Sequence, residues 1–275
     1  MKFKKKYNLK FYNSIDNFIK FNKKKIDLAV IATSTDNRFK VIKNISRLCP
    51  KVILVEKPLS YKISESKKIL KFCKKKKIKL FINYQRISDV SILDIKKKIN
   101  KKKFKVPVEG VAIYNNGIYN NASHLLSVLF FWFGKPKKIK VIDYIGKFKK
   151  NDYQISFIIY FKNAKIIFLA NSKKKYSNLE LQLYFRNGKL NYLLEGRKVF
   201  WQKEKADKLF PGFITLDEKK EEIKNKLKIY QKNVYKNLVN FFFKKRYNLI
   251  SISHNIQIDF IINNIIVHAK NRKNY

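Results

Sequence analysis

The chain of 275 residues carries 64 lysine and arginine residues against 19 aspartate and glutamate residues, a formal net charge of +45. Hydrophobic residues make up 45% of the chain, enough for the core of one large or two ordinary domains, which excludes a disordered chain. The lysine runs, such as 74–77 and 101–103, are scattered along the sequence. We interpret them as solvated surface and predict no specific nucleic-acid partner.

The cysteines and the apolar stretches indicate the compartment. Cys49 and Cys73 are isolated, without the spacing of a metal site, and we expect both to stay reduced. No apolar segment typical of a signal peptide opens the sequence. The apolar stretch 125–133 is too short to cross a bilayer, and 251–269 is interrupted by polar residues. These patterns predict a cytoplasmic protein without a membrane partner.

The first hundred residues alternate apolar runs with helical patterns. We predict three buried strands, at Ile26–Thr33, Val52–Val55 and Ile78–Tyr84, each followed by a segment with apolar residues at helical spacing. Strands and helices that alternate at this regular interval are typical of βαβ units with a parallel sheet. We therefore predict a Rossmann-like α/β domain over residues 1–103.

Polar residues follow each of the three predicted strands. Ligands of open parallel sheets lie outside the carboxyl ends of the strands, so these residues are candidates for one site. They are Thr33 and Ser34 after the first strand, Glu56, Lys57 and Pro58 after the second, and Tyr84 and Arg86 after the third.

The pattern changes from about residue 104. A strand is predicted near 106–112, and the segment 116–133 begins polar and ends as a strongly apolar helix. Six β-rich runs with turn residues between them follow from 138 to 202, and helices are predicted at 218–245 and 252–270. Residues 104–275 are therefore expected to form an α+β domain with a large, mostly antiparallel sheet.

The order of four motifs resembles a known family. The motifs are DLAVIATSTDNRF, ILVEKPLS, FINYQR and GIYNNASHLLSVLFFWFG. In this order they resemble the glucose–fructose oxidoreductase / inositol dehydrogenase family of NAD(P)-dependent sugar oxidoreductases, over nearly the whole chain from about residue 8. The resemblance implies hydride transfer between NAD or NADP and a hydroxyl of a sugar or nucleotide sugar. It also implies a homo-oligomer.

The resemblance assigns roles to individual residues. Lys57 matches the family's catalytic lysine, and His124 matches the histidine proposed as general acid or base for the sugar hydroxyl. Asn120 stands where the family often has an aspartate, and it is expected to contact the substrate or take part in catalysis. Oxidation of a carbinol requires a group that takes the hydroxyl proton, and lysine and histidine are both suited to that task.

The remaining candidates are assigned to cofactor and substrate. Tyr84 and Arg86 are expected to line the substrate cleft, where an arginine would suit a carboxylate or phosphate. The residues expected at the cofactor are Thr33, Ser34, Glu56, Lys57 and Pro58.

The sequence departs from the family pattern at several positions, and the absence of one glycine turn leaves an alternative open. The family opens with a Gly-x-Gly-x-x-Gly turn that holds the cofactor pyrophosphate, whereas the first glycine here is Gly110. Ser34 replaces a proline, and Arg38 stands where the family often has a histidine. The parallel sheet is thus expected to be a truncated Rossmann sheet. The alternative to an oxidoreductase is a cofactor-less remnant that binds a sugar or a partner without catalysis.

Overall fold

The computed structural model describes residues 9–22, 24–172 and 175–272, which divide into two compact units. The first unit contains the described residues up to Asn83 together with Ser251–Ser253. The second contains Tyr84–Ile250 and the described residues from His254 onwards.

The first unit is built on a parallel sheet. Its strands β1 (Leu28–Ile31), β2 (Val52–Val55) and β3 (Lys79–Ile82) pair in that order, and the two-residue strand Ile250–Ser251 lies beside β3. Strand β2 is buried along its whole length, which explains its uninterrupted apolar sequence. The helices of this unit are α1 (Ile15–Phe21), α2 (Arg38–Ile45) and α3 (Ile63–Lys75), with a 3₁₀ turn at Ser46–Leu48.

The second unit contains a large sheet in the order β11-β10-β9-β8-β4-β7-β6-β5, with β12 also paired to β10. Its strands are β4 (Val108–Tyr114), β5 (Lys138–Lys149), β6 (Asp152–Tyr160), β7 (Ala164–Ala170), β8 (Leu179–Phe185), β9 (Gly188–Leu193), β10 (Lys198–Ala206), β11 (Ile214–Leu216) and β12 (Glu221–Glu222). Strands β4 and β7 are parallel, and the other pairs are antiparallel. The sequence-based fold class, a parallel sheet plus a large mostly antiparallel sheet, is confirmed.

The helices of the second unit bury apolar residues. They are α4 (Val90–Asn100), α5 (Ser123–Phe133), α6 (Tyr230–Phe242) and α7 (Ile252–Arg272, in this unit from His254). Short helical turns lie at Gln85–Ser88, Ile118–Ala122, Leu194–Gly196 and Leu227–Ile229. Helix α5 is buried almost all round and ends at Gly134, whose positive φ of 81° suits a residue without a side chain.

The predicted helix over 218–245 is wrong over residues 218–229, which precede the observed α-helix. Residues Glu221 and Glu222 form strand β12, which pairs with Trp201 and Phe200 of β10. The next residue, Ile223, is buried and donates its backbone N–H to the carbonyl of Val199 at 2.8 Å. A buried isoleucine fits a strand as well as a helix, and here the free edge of β10 decides the outcome. Helix α6 begins only at Tyr230.

Candidate active site

The carboxyl ends of β1 and β2 lie side by side in the first unit. Ile31 pairs with Val55, and Glu56 donates its backbone N–H to the Ile31 carbonyl at 2.9 Å. On the other side of β2, Asn83 donates its N–H to the Val55 carbonyl at 2.8 Å. The segments that leave the three strands therefore share one edge, where open parallel sheets bind their ligands.

A buried arginine ties two of these segments together. Arg38 on α2 is 1% exposed, and its guanidinium donates to the backbone carbonyls of Thr33, Ser34, Glu56 and Pro58. Burial lowers the pKa of this guanidinium, and nearby acidic groups, Glu56 first, oppose the shift. From the sequence, Arg38 stands out only as a departure from the pattern of the family that the chain resembles. The structure shows that it binds the backbone carbonyls of four of the five predicted cofactor residues.

Glu56 and Lys57 occupy the end of the central strand. The Glu56 carboxylate accepts a hydrogen bond of 2.6 Å from the side-chain amide of Asn83. Both Glu56 and Lys57 are half-buried, Pro58 is buried, and the peptide between Lys57 and Pro58 is cis. Asn83 was not among the predicted site residues, although its place directly after β3 is the same signal that selected the others.

The exposed members of this edge follow β1. The side chains of Thr33 and Ser34 are both exposed to solvent, while the carbonyl groups of the same two residues are held by Arg38. The first unit thus brings together five predicted residues at one edge: Thr33, Ser34, Glu56, Lys57 and Pro58. Thr33 and Ser34 are exposed on a backbone that Arg38 holds, Glu56 and Lys57 are half-buried, and Pro58 is buried.

In the second unit His124 lies in a buried cluster. It is the second residue of α5, and its ring meets the Tyr84 ring edge-on, with centroids 5.8 Å apart. Both side chains are buried, and the Tyr84 hydroxyl forms a hydrogen bond with Ser123. Burial raises the pKa of Tyr84 well above its usual value, and the Asp259 carboxylate adds to the shift. Tyr84 is therefore a neutral hydrogen-bonding group beside the histidine.

The polar residues of α7 in this region escaped the sequence analysis. Asn255 and Asp259 are both buried, and the Asn255 amide donates to the Asp259 carboxylate at 2.8 Å. The sequence analysis counted them only as polar interruptions of an apolar helix. One turn apart on the helix, they share a face, which was the signal available in the sequence.

Asp152 holds the turn that carries Asn120. Its carboxylate accepts the backbone N–H groups of Tyr119 at 2.8 Å and Asn120 at 2.9 Å, at the start of the helical turn before α5. Gly117 leads into this turn with φ of 90°, and a Cβ there would lie 2.3 Å from the Asp152 carboxylate. This contact requires a glycine. Asn120 itself is half-buried. Its backbone is held in place because its N–H donates to the Asp152 carboxylate.

Arg86 makes its contacts with other residues of the second unit. It is buried, its guanidinium donates to the Glu195 carbonyl at 3.4 Å, and it also hydrogen-bonds the Tyr192 hydroxyl. Its Nε has no hydrogen-bond partner among the described residues. The contacts shown anchor the turn Leu194–Gly196. The substrate role of Arg86 stays a sequence-based prediction.

Comparison with known protein families gives a match over the first part of the chain. Residues 1–84 match the Gfo/Idh/MocA family model, described as an oxidoreductase family with an NAD-binding Rossmann fold. The match covers less than a third of the chain, so it is residues 1–84 that are similar to the Gfo/Idh/MocA family. The matched segment contains β1 to β3 and the edge organised by Arg38, and it contains no glycine. Comparison with curated protein sequences gives no match.

Several solved structures share the fold of this chain at low sequence identity. UDP-N-acetylglucosamine 3-dehydrogenase GnnA from Acidithiobacillus ferrooxidans is 11% identical, with a TM-score of 0.75 over 97% of this chain and 85% of that one. An Agrobacterium radiobacter oxidoreductase in complex with NAD+, L-tartaric acid and magnesium is 11% identical, with a TM-score of 0.73 over 98% and 84%. A super-repressor mutant of Gal80p from Saccharomyces cerevisiae is 11% identical, with a TM-score of 0.78 over 98% and 84%.

The described residues contain neither a helix suited to crossing a membrane nor a cluster of metal-binding side chains. Across residues 9–22, 24–172 and 175–272, no helix combines the length and apolar character that a membrane crossing needs. In the same ranges, no group of three or more histidine, cysteine, aspartate or glutamate residues is arranged to hold a metal ion.

Proposed function

We propose that this chain is a cytoplasmic NAD(P)-dependent oxidoreductase that transfers a hydride between the nicotinamide and a hydroxyl of a sugar or nucleotide sugar. The observation that carries the proposal is the edge of the parallel sheet, where Arg38 holds the carbonyls around Thr33 and Pro58. A family described as NAD-binding and a relative that acts on a UDP-sugar support the substrate and cofactor classes.

The residues at this edge suit the nicotinamide end of a dinucleotide. The exposed hydroxyl groups of Thr33 and Ser34 and the half-buried Glu56 carboxylate offer hydrogen bonds to ribose and carboxamide groups. When bound, the nicotinamide supplies the hydride acceptor. Lys57 and Pro58 would lie against it, and Arg38 donates to the carbonyls of both neighbours of Lys57, Glu56 and Pro58.

Lys57 and His124 are proposed as the acid and base groups. Oxidation of a hydroxyl group leaves a proton that one side chain must take, and reduction of a carbonyl needs the reverse transfer. His124 is packed against Tyr84, which limits the orientations of its imidazole. Asn120 is proposed to bind the substrate by its amide, which donates and accepts hydrogen bonds without adding charge. Tyr84 and Arg86 are proposed for the same substrate, and the active form is proposed to be a homo-oligomer.

A rate measurement tests these roles. Purified protein is mixed with NAD+ or NADP+ and a panel of sugars and nucleotide sugars, and the absorbance of the reduced nicotinamide is followed. We expect turnover that falls by about 100-fold or more in Lys57→Met and His124→Asn, the size typical of a lost acid or base. Lys51→Met is the matched control, because Lys51 is 72% exposed and bonded only to Asp27 among the ion pairs of the structure.

One observation favours a second candidate function. Residues 1–84 hold no glycine, whereas a phosphate-binding turn of the Rossmann type needs glycine for the close approach of its backbone. The second candidate is a protein that binds a sugar or a partner without catalysis. It predicts binding of a nucleotide sugar that NADH does not alter, with no turnover for any compound of the panel. Turnover sensitive to Lys57→Met would exclude it.

A further inference from the structure

A cavity in the second unit is lined by cationic side chains. It has a volume of about 310 Å³ and lies between helices α4 and α6, the end of α5 and the loop after α6. Five cationic residues line it: Lys96, Lys97, Lys226, Lys236 and Arg246. Among the described residues no aspartate or glutamate lines the cavity, and none of the five cations forms an ion pair. Cations that share a cleft without counter-charge produce a positive potential that attracts an anion.

Neutral hydrogen-bonding groups share this cavity with the cations. Five asparagines lie in its walls: Asn100, Asn233, Asn237, Asn240 and Asn248. Side-chain amides donate hydrogen bonds to phosphate oxygens and also pair with hydroxyl groups. In a chain with 64 basic residues a solvated lysine is ordinary. Here cations and amides converge on one concave surface, which is the arrangement of a ligand site.

Hydrogen bonds tie the loop after α6 to the other walls. The side-chain oxygen of Asn237 on α6 accepts the backbone N–H of Asn248 at 2.7 Å, and the Ser88 hydroxyl donates to the Asn248 carbonyl at 3.0 Å. The side-chain amide of Asn240 donates to the carbonyl of Arg246 at 3.2 Å. The loop that carries Arg246 is therefore held both to α6 and to the turn before α4.

The segments that carry Lys226 and Lys96 are held in the same way. Lys226 donates its backbone N–H to the Asp89 carboxylate at 2.8 Å, and its carbonyl accepts the side-chain amide of Asn233 at 3.2 Å. The Lys96 ammonium donates to the Trp132 carbonyl at the end of α5, at 2.8 Å. Burial lowers the pKa of Lys96, and a bound anion would favour its charged form. Walls that are fixed before binding reduce the entropy that a ligand must overcome.

One wall of the cavity is apolar. It is formed by Phe131 on α5 with Val90 and Leu93. Phe131 is half-buried, and the Lys96 ammonium lies 5.9 Å from its ring centroid. An aromatic face beside cations can stack a nucleobase while the cations hold phosphate groups. Phe131 follows His124 by about 10 Å along the axis of α5, so the cavity is separate from the histidine of the proposed active site.

We propose that this cavity binds a small phosphorylated molecule through a diphosphate group. A diphosphate combines several negative charges with many acceptor oxygens, which the cations and amides of the walls match. Its volume is at the lower end of the range for ligand pockets, which suits a compact anion such as a nucleoside diphosphate or free pyrophosphate. The inference does not rest on the proposed oxidoreductase function, because none of the residues assigned to that function lines the cavity.

Isothermal titration calorimetry of the full chain with ADP and with pyrophosphate, at about 150 mM salt to screen non-specific attraction, tests the proposal. We expect saturable binding that is weakened by at least about tenfold in the double variant Lys97→Gln/Lys236→Gln. Both lysines are exposed on helices, so the fold is kept. The control Lys67→Gln/Lys71→Gln removes the same charge from exposed positions of α3 and should bind as the wild type does.

The variant Phe131→Leu distinguishes the two sources of the diphosphate group. A nucleoside diphosphate site predicts that Phe131→Leu weakens ADP by about fivefold or more and leaves pyrophosphate unchanged. A site for free pyrophosphate predicts that the two compounds bind alike and that Phe131→Leu alters neither.

Two results would overturn the proposal of a diphosphate site. The first is no saturable binding of either compound, or equal weakening by the Lys97→Gln/Lys236→Gln variant and its control. The second is ADP binding that Ser34→Trp abolishes while Lys97→Gln/Lys236→Gln leaves it unchanged. That result would assign ADP to the edge of the parallel sheet instead of the cavity.

Discussion

Arg38 shows how one residue can organise a ligand-binding edge. Its guanidinium contacts four backbone carbonyls from two loops while almost fully buried. Hydrogen bonds to a charged group contribute about 1.5–3 kcal/mol each, and a buried carbonyl left without a donor adds a cost. A lysine cannot span all four acceptors, because it is a point donor on a flexible stem, whereas the guanidinium is a planar fork.

The first prediction concerns Arg38→Lys. We expect faster hydrogen exchange of the amides of β1 and β2, corresponding to a loss of about 3 kcal/mol in local stability. Arg47→Lys is the control, because Arg47 is an exposed arginine whose ion pair with Asp16 contributes at most about 1 kcal/mol. Equal protection of β1 and β2 in the two variants would contradict the role given to Arg38.

The two cysteines should differ in reactivity. Cys73 on α3 is buried, and burial raises the pKa of its thiol to about 11, whereas Cys49 is exposed. Because the thiolate is the reactive form, we expect alkylation of the native protein to label Cys49 and spare Cys73. Mass spectrometry of the alkylated peptides measures this. Labelling of both in denaturant is the control, and rapid labelling of native Cys73 would contradict its burial.

His254 gives the second unit a pH dependence. Burial lowers the pKa of this side chain in the folded state, so the unfolded state binds the proton more readily. The stabilising contribution is therefore complete above the unfolded pKa of about 6.5 and declines as the pH falls below it. We expect the urea midpoint to fall between about pH 7.5 and about pH 5. In His254→Gln this decline should be smaller, and an equal decline would contradict the prediction.

At the scale of elements, the turn before α5 depends on a contact between Gly117 and Asp152. Both Gly117 and Gly134 have positive φ, but a Cβ at Gly117 would overlap the Asp152 carboxylate, while a Cβ at Gly134 would meet nothing within 4 Å. Backbone strain alone costs about 1–3 kcal/mol for alanine at either position, because both have the positive φ and extended ψ that favour glycine. The overlap at Gly117 must be relieved by displacing a carboxylate that holds two backbone amides.

The matched pair of alanine substitutions isolates this contact. We expect Gly117→Ala to lower the free energy of unfolding by about 2 kcal/mol or more beyond the loss in Gly134→Ala. The difference is measured by denaturant-induced unfolding. The fluorescence of Trp132 and Trp201, both in the second unit, monitors the transition. Similar losses in the two variants would show that Asp152 does not constrain the turn.

The sequence predicts elements that carry a strong local pattern. Strand β2 was found at its observed bounds because a strand buried on both faces has an unbroken apolar run. The rule that ligands lie at the carboxyl ends of parallel strands selects the polar residues after β1 and β2 as site candidates. The helix over 218–245 failed because a sheet edge distant in sequence captured residues 221–222.

Contacts between residues that are far apart in the sequence could not be predicted from it. Nothing near Arg38 indicates that its side chain reaches carbonyls 18 and 20 positions away. Asp152 and Gly117 likewise form one feature only after β6 is placed beside the turn. Such pairings are set by the tertiary fold, which a single sequence does not display.

At the scale of the whole molecule, the net charge of +45 has a consequence of its own. The protein should bind unrelated duplex DNA at low salt through phosphate contacts, without sequence preference. We expect the affinity to fall by about 100-fold or more between about 50 and about 200 mM salt, measured by fluorescence anisotropy on two unrelated duplexes. Retained affinity for one duplex at the higher salt would instead indicate a specific nucleic-acid site.

The proposed dinucleotide-dependent activity rests on the family-model match over residues 1–84, the fold and the edge organised by Arg38, and a fluorescence titration with NADH tests it most directly. We predict saturable binding that is weakened by at least about tenfold when Ser34→Trp fills the edge with an indole ring. Lys40→Trp, at another exposed position, should bind as the wild type does. No change in NADH fluorescence with the wild-type chain, or equal binding by the Ser34→Trp variant, would contradict the account.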